Sequence, residues 1–290
     1  MPSPFEPINW ILAHGRSLCL GPEGLIMAII NVTPDSFSDG GQSATIDAAV
    51  GNALRAVKAG AVIVDIGGES TRPGAAEVTA QEEQARVLPV IEILAANCDA
   101  VISVDTYRAE TARKAIAAGA HIINAVHGLQ REPAIADVAA ATGAGVVIMH
   151  TGRGREKEVD VIADQVVFLK QSLAIAEAAG VAKEHIVLDP GFGFNKETAA
   201  DNLQLMARFS ELHALGYPLL AGTSRKRFLG TVTGRDPADR GAATAATTAL
   251  LRMAGAAIFR VHDVAFNRDA VMVTDAMLAA ASMNGTGEKL

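Results

Sequence analysis

The chain has 290 residues, of which 50% are apolar and 20% charged. That is enough apolar material for a large core and too much for a disordered polymer. With 25 Lys+Arg against 32 Asp+Glu, the net charge of −7 argues against general binding to nucleic acid or to anionic membranes, although a local basic pocket remains open.

Short apolar runs recur along the chain at 25–32, 61–67, 101–105, 121–126, 145–150, 186–189, 218–223 and 257–262. They are rich in Val and Ile and apolar on successive residues, as in strands of a parallel sheet buried on both faces. Alanine-rich segments with helical character lie between them, at 45–59, 80–96, 109–118, 134–141, 161–179, 199–215 and 237–254, with a last one at about 267–281. A junction repeats at Ala59-Gly60-Ala61, Ala118-Gly119-Ala120, Thr142-Gly143-Ala144 and Ala254-Gly255-Ala256. Each glycine falls where a helix ends and a left-handed residue is often needed. Eight strand–helix pairs make a (β/α)8 TIM barrel by count; a doubly wound open sheet is the alternative. No linker divides the chain, so 1–290 is expected to be a single barrel domain. Residues 1–20 are expected to be an N-terminal extension, a lid or a short hairpin over the barrel floor.

Polar residues gather at the C-terminal ends of the strands. They include Asn31 with the loop to Gly41, Asp65 with the loop through Gly74, Asp105-Thr106, Asn124 and Met149-His150. They continue with Asp189-Pro190-Gly191-Phe192-Gly193-Phe194, Ser224-Arg225-Lys226-Arg227 and Arg260-Val261-His262-Asp263. In a barrel these ends share the face that carries the active site. A helix cap or turn explains any one of them, but not the whole set with two long Gly-rich loops. Asp65, Asp105, Asp189 and Asn124 would line the mouth, and carboxylates there suit a ring with adjacent N–H donors. Arg72, Lys226, Arg260 and His262 would add positive charge for a leaving group such as pyrophosphate, with a hard metal such as Mg²⁺. In the alternative, Arg260 and Lys226 form internal salt bridges with Asp263 or Asp189.

Other chemistries lack their motifs. The sequence has no Walker A, no strand-linked GxGxxG, no Gly-x-Ser-x-Gly elbow and no HxxxH pair. His14, His121, His127, His185 and His213 read as surface or core residues. Cys19 and Cys98 form no CxxC, so neither a disulfide framework nor a zinc site is indicated. No stretch of about eighteen apolar residues and no basic signal sequence is present, so the expected location is the cytoplasm.

These strand-end motifs, in this order from about Leu25 to Leu278, resemble the dihydropteroate synthase family. The resemblance implies a (β/α)8 barrel that joins 6-hydroxymethyl-7,8-dihydropterin diphosphate to 4-aminobenzoate with loss of pyrophosphate in folate synthesis. It also implies Mg²⁺, a homodimer and a sulfonamide target. Matched residue by residue, it assigns the pterin to Asp105, Asn124, Met149, Asp189, Arg225 and Lys226. The aminobenzoate falls to Phe37, Thr71, Pro73, Phe194 and Lys226, with Arg227 beside its carboxylate. The diphosphate falls to Asn31, Arg72, Arg260 and His262, with Asn31 also tied to the metal. Catalysis would rest on Arg72, Lys226, Arg260 and His262, with Asp35 stabilising the developing cation or accepting a proton. The Gly67-Gly68 and Gly40-Gly41 pairs would let two loops close.

Three residues depart from the family pattern. Ala125 stands where Asp often follows the pterin Asn, Asn195 where Gly often follows the Phe, and Arg227 where Ser often follows the Lys. Two rival functions are a pterin-dependent methyltransferase, which would need no diphosphate site, and a silent pterin-binding paralogue.

Overall fold

The computed structural model describes residues 3–33, 41–69, 77–196 and 198–284 of the chain. Strands β1 (Ile8–Ile11) and β2 (Ser17–Leu20) pair antiparallel as a hairpin. Eight parallel strands follow: β3 (Leu25–Asn31), β4 (Ile63–Gly67), β5 (Val101–Asp105), β6 (Ile122–Ala125), β7 (Gly145–Met149), β8 (Ile186–Asp189), β9 (Leu220–Ala221) and β10 (Ile258–Val261). Their spatial order is β8-β7-β6-β5-β4-β3-β10-β9. The order runs around a ring without reversal, which excludes the open doubly wound sheet. The ring closes where Leu188 N–H donates to Pro218 O at 3.0 Å, beside a bridge between Leu188 and Leu219.

Helices α1 (Gly41–Lys58), α2 (Ala80–Asn97), α3 (Ala109–Ala117), α4 (Ala134–Thr142), α5 (Val161–Ala178), α6 (Ala199–Ala207), α7 (Arg227–Thr233), α8 (Gly241–Met253) and α9 (Val264–Asn284) complete the units. Gly60, Gly119, Gly143 and Gly255 all have positive φ, so the repeated junction is the left-handed exit from each helix.

Because side chains alternate along a strand, each strand feeds two environments. Val64, Ile66, Ile102, Val104, Ile123, Val146 and Ile148 point outward into an apolar layer under the helices. Met27, Ile63, Val101, Ile122, Val147, Val187, Leu220 and Ile258 point inward and fill the lower barrel. Trp10, Leu12 and Leu20 join that inner cluster, so the N-terminal hairpin plugs the floor. The next inward positions up the strands are Asp65, Ser103, Asn124, Asp189 and Arg260; register pairs Asp65 with Ser103 across β4 and β5, and Asn124 with Asp105 across β6 and β5.

Several elements differ from the periodicity. Residues 199–215 are not one helix: α6 stops at Ala207, Arg208 leaves helical geometry and a 3-10 stretch runs from Phe209 to Leu215. Arg208 is held there by Glu211 and Asp160. Residues 237–254 likewise divide into a 3-10 turn, Pro237–Asp239, and α8. Strand β9 keeps only two ladder residues. Helix α7 was not expected, since Gly and β-branched residues in RFLGTVT are weak helix formers; it is fastened by buried Phe228 and Leu229, with Phe228 stacked on Phe192 at 6.3 Å. Arg252 is fully buried at 0% exposure, bridging Asp275 and the carbonyls of Gly21, Pro22 and Ala256. Among the described residues no helix is long and apolar enough to cross a membrane.

Candidate active site

The polar layer is built around one guanidinium. Arg260, inward on β10, donates through Nε to Asp65 Oδ2 at 2.6 Å and through Nη2 to Asp105 Oδ2 at 2.7 Å. Asn124 Nδ2 donates to the same Asp65 oxygen at 3.0 Å. Asp65 is 0% exposed and lies one layer below Asp105 on the strand register. It therefore does not line the mouth as expected; it orients Asn124 and Arg260 from beneath. Nor does Arg260 pair with Asp263 or Asp189, the internal partners considered from sequence: its partners stand across the barrel.

Asp189 ends β8 and is buried. Proline follows it and lacks an N–H, so the first backbone donor is Gly191, which binds Asp189 Oδ1 at 2.7 Å. Asp189 Oδ2 lies on the side of Gly222, 3.8 Å from where a Cβ there would sit. Lys226 enters after β9 through a turn in which Arg225 has a left-handed backbone, φ 56. That conformation is unfavourable for a long side chain and costs of order 1–3 kcal/mol. The turn is braced by Arg240 Nη1 on the carbonyls of Arg225 and Lys226, at 3.0 and 3.3 Å. Lys226 Nζ donates to Phe192 O and sits 4.5 Å from the Phe194 ring centre. Met149, the last residue of β7, is buried beside Asp189 in the ladder.

Charge and burial set the titration. Burial pushes the Asp105 carboxyl up to about 7 against the pull of Arg260, with Asp65, Glu83 and Asp189 adding to the rise. Burial also raises Asp189, opposed by Lys226, the Gly191 N–H and Arg260. Desolvation draws the Lys226 ammonium down to about 8, with Asp189 resisting. Arg260 stays protonated: its carboxylate partners outweigh its own desolvation and raise it.

The remaining assigned residues are more scattered. Asn31 is exposed at the end of β3, and a Cβ on Gly67 would stand 3.9 Å from its Oδ1 and 3.6 Å from Asp105 Cβ. His262 is exposed after β10, with Nδ1 2.9 Å from Ser224 Oγ. Its backbone N–H donates to that same hydroxyl oxygen at 3.1 Å. Arg227 is the exposed first residue of α7. Asp35, Phe37, Thr71, Arg72 and Pro73 lie outside the described residues. Gly68 has a packing reason: a Cβ there would come within 2.9 Å of Val87 and 3.1 Å of Glu83 O. Asn195 replaces glycine at a left-handed position, φ 58, which Asn tolerates, and its amide donates to Gly152 O at 2.7 Å. Ala125 points outward into the apolar layer.

Sequence reasoning missed a second tier of polar groups. Glu83 on α2, 1% exposed, accepts from Thr106 and Thr111 at 2.8 and 2.7 Å. Arg108 lies 3.1 Å from Glu83 and 2.8 Å from Glu69. It also donates to Val78 O at 2.6 Å, so one side chain ties both flanks of the 70–76 segment. Behind the 190–196 loop, His150, Asp164, Arg155 and Lys196 form another cluster. Neither cluster has a spacing signal, because its members converge only through the barrel's closure.

A barrel whose mouth carries two carboxylates, an amide, a lysine and an arginine, with a third carboxylate beneath them, is built to hold a polar, donor-rich ring. Comparison with known proteins agrees. The profile of the family described as pterin-binding enzymes matches residues 27–262. A dihydropteroate synthase of Escherichia coli strain K12 is 44% identical over 276 residues, covering 93% of this chain and 97% of that protein. A crystal structure of the Xanthomonas albilineans enzyme with 4-aminobenzoic acid superposes with TM-score 0.88 at 46% identity, covering 93% and 99% of the two chains. One from Clostridium difficile, in the presence of pteroic acid, gives TM-score 0.86 at 44% identity, covering 89% and 98%. The chain belongs to the pterin-binding enzyme family, in its dihydropteroate synthase branch.

Proposed function

We infer that this chain condenses 6-hydroxymethyl-7,8-dihydropterin diphosphate with 4-aminobenzoate, yielding 7,8-dihydropteroate and pyrophosphate in folate biosynthesis. The observation that carries the reading is the convergence of Asp105, Asn124, Asp189 and Lys226 on one end of the barrel, within a chain 44% identical to a known dihydropteroate synthase.

The pterin's adjacent N–H groups suit Asp189 Oδ2, the oxygen that Gly191 does not occupy. Asp105, Asn124 and Lys226 would take the other ring edges, with Met149 and Arg225 against its faces. Arg260 uses Nε and Nη2 on carboxylates, leaving Nη1 for a diphosphate oxygen alongside Asn31, Arg72 and His262. Phe194 and Lys226 would wall the aminobenzoate site with Phe37, Thr71 and Pro73, and Arg227 at its carboxylate end. In the reaction the C–O bond to diphosphate breaks and the pterin methylene carries positive charge shared with the electron-rich ring. The neutral arylamine attacks it, forms the C–N bond and loses a proton, for which Asp35 is the candidate acceptor. The protein's contribution is positioning and electrostatics.

Mg²⁺ is proposed as cofactor. Asn31 fits it: its amide oxygen is a hard donor at an exposed strand end, beside a corner that Gly67 leaves without a side chain. Among the described residues no group of three His, Cys, Asp or Glu forms an all-protein cage. One amide plus diphosphate oxygens and water is a donor set that magnesium accepts. When bound, it shares the negative charge of the departing diphosphate.

A homodimer is proposed through α8 and α9, which leave Leu250, Met253, Phe266, Val273 and Met277 exposed. Sedimentation of Val273→Glu, expected to be monomeric if this face pairs, tests it. A cytoplasmic location is proposed from the two unpaired cysteines, Cys19 and Cys98, and is checked by fractionation. The function itself is tested by incubating the protein with pterin diphosphate, 4-aminobenzoate and Mg²⁺. Stoichiometric dihydropteroate and pyrophosphate are expected; pterin binding without turnover would sink the reading.

A further inference from the structure

Asp189 and the residues after it are held from behind. His150 N–H donates to Asp189 O at 2.8 Å, Gln165 Nε2 to Pro190 O at 3.1 Å and Lys196 Nζ to Gly191 O at 2.8 Å. Three consecutive carbonyls are thus held, that of Gly191 also by the Phe194 N–H at 3.2 Å. Gly191 is left-handed, φ +62, and a Cβ on it would collide with His150 O, so its backbone rests against His150. Its N–H, in turn, orients Asp189 Oδ1.

Lys196 is the unusual member. It is 7% exposed, yet none of the ion pairs among the described residues includes it. Its second partner is His150 Nδ1 at 3.1 Å. His150 Nε2 lies 2.9 Å from Asp164 Oδ2, which Arg155 Nη2 also binds at 2.7 Å. Burial drives His150 down to about 4, so the ring is neutral and carries one proton. Arg155 Nη2 lies 2.9 Å from the same Nε2, so the ring stands between Lys196 on one side and the Asp164–Arg155 pair on the other. A connected chain results, from Asp164 and Arg155 through His150, Lys196 and Gly191 to Asp189.

A buried amine without a carboxylate of its own is a poor stabilising device. Taking an ammonium out of water is costly unless a carboxylate faces it. Its retention here needs another reason, and its hold on the Gly191 carbonyl supplies one. We propose that Lys196 is a positioning residue for pterin recognition: seated against His150, it fixes the Gly191 carbonyl and so, together with Gln165 on Pro190 O, the residue whose N–H orients Asp189, which aims the free oxygen of Asp189 at the ring. The proposal rests on Asp189 being the pterin acceptor.

The test is a double-mutant cycle of Lys196→Met and Asp189→Asn, read as kcat/KM for pterin diphosphate and, for each single variant, as affinity for 6-hydroxymethylpterin by calorimetry. Lys196→Met is expected to weaken pterin affinity at least tenfold. In the Asp189→Asn background it should cost less than a further twofold, because its route of action is already cut. Asp164→Asn, at the far end of the chain, should weaken pterin affinity in the same direction by a smaller factor; it carries the test if Lys196→Met does not fold. Affinity within twofold of the parent, or losses that multiply with those of Asp189→Asn, would overturn the proposal. If Asp189→Asn alone left pterin affinity unchanged, the pterin-site reading itself would fail, a result distinct from failure of Lys196 to act through it.

Discussion

Replacing Arg260 with Met removes the cation from between two buried carboxylates. Among the described residues, Asp65, at 0% exposure, would keep only the Asn124 amide, and Asp105 would keep no cation within salt-bridge reach. Breaking a buried pair from one side costs about 3–5 kcal/mol. Part of that cost depends on pH, and its sign follows from Asp105. Its folded value of about 7 lies above the ordinary carboxyl value of 3.8, so the folded parent holds a proton that the unfolded chain releases. Stability from this group is therefore lost as pH rises from about 4 to about 7, by at most about 1.4 kcal/mol per pH unit, and then levels off. Arg260 is the main influence pulling Asp105 down, so its loss extends that decline above pH 7. Below pH 6 the Asp105 contribution is the same in both proteins; at pH 9 the variant should have lost roughly a further 1–3 kcal/mol. Urea titrations of parent and Arg260→Met at pH 6 and pH 9 measure it. A gap that stayed constant across the two pH values, or one below about 1 kcal/mol at both, would refute the picture of Arg260 as counter-ion to Asp105. The same arrangement means that phosphate-free pterin should also bind more weakly to the variant, since Asp105 and Asn124 lose their support. A role on the diphosphate alone would spare that affinity.

The kcat/KM for pterin diphosphate should be bell-shaped, falling below about pH 7 as Asp105 takes up a proton and above about pH 8 as Lys226 loses one. The kcat profile should be flatter, because bound substrate holds both groups charged; a level kcat/KM from pH 6 to 9 would contradict the assignment. Arg227→Ser should change the ratio of the aminobenzoate KM to a sulfonamide inhibition constant about fivefold, near 1 kcal/mol, since the guanidinium pairs with a carboxylate in a way a hydroxyl does not. Both constants within twofold of the parent would make Arg227 a bystander. Trp10→Ala should destabilise by about 3–5 kcal/mol in a urea titration, from loss of the floor plug and of its N–H bond to His185 O, with both KM values unchanged. An altered KM would mean that the floor communicates with the mouth.

What the sequence disclosed, and what it withheld, divides along one physical line. A strand's period of two sends alternate side chains inward, and a barrel collects its strand ends on one face. Asp105, Asn124, Asp189 and Arg260 could therefore be recognised as neighbours from their places in the chain alone. Depth within the barrel depends on register between strands, which no single strand carries. Asp65 opposes Ser103, while Asp105 opposes Gly67. Only that stagger puts Asp65 beneath the mouth and turns Arg260 toward two carboxylates from other strands. Helix α7 was hidden because its local propensity is poor and Phe192 supplies its support from a different unit. Lys196 was hidden for the opposite reason: the run Asn195-Lys196 reads as an ordinary solvated loop, since lysine is seldom buried. Its burial follows from the path of the loop, which Asn202 fixes by accepting from Gly193 N–H at 2.8 Å and donating to Lys196 O at 2.9 Å. Residues that meet the substrate directly sit where topology alone can place them. Those that aim them depend on packing between units, so the groups that set Asp189's direction become visible only once β7, α5 and the loop after β8 are brought together.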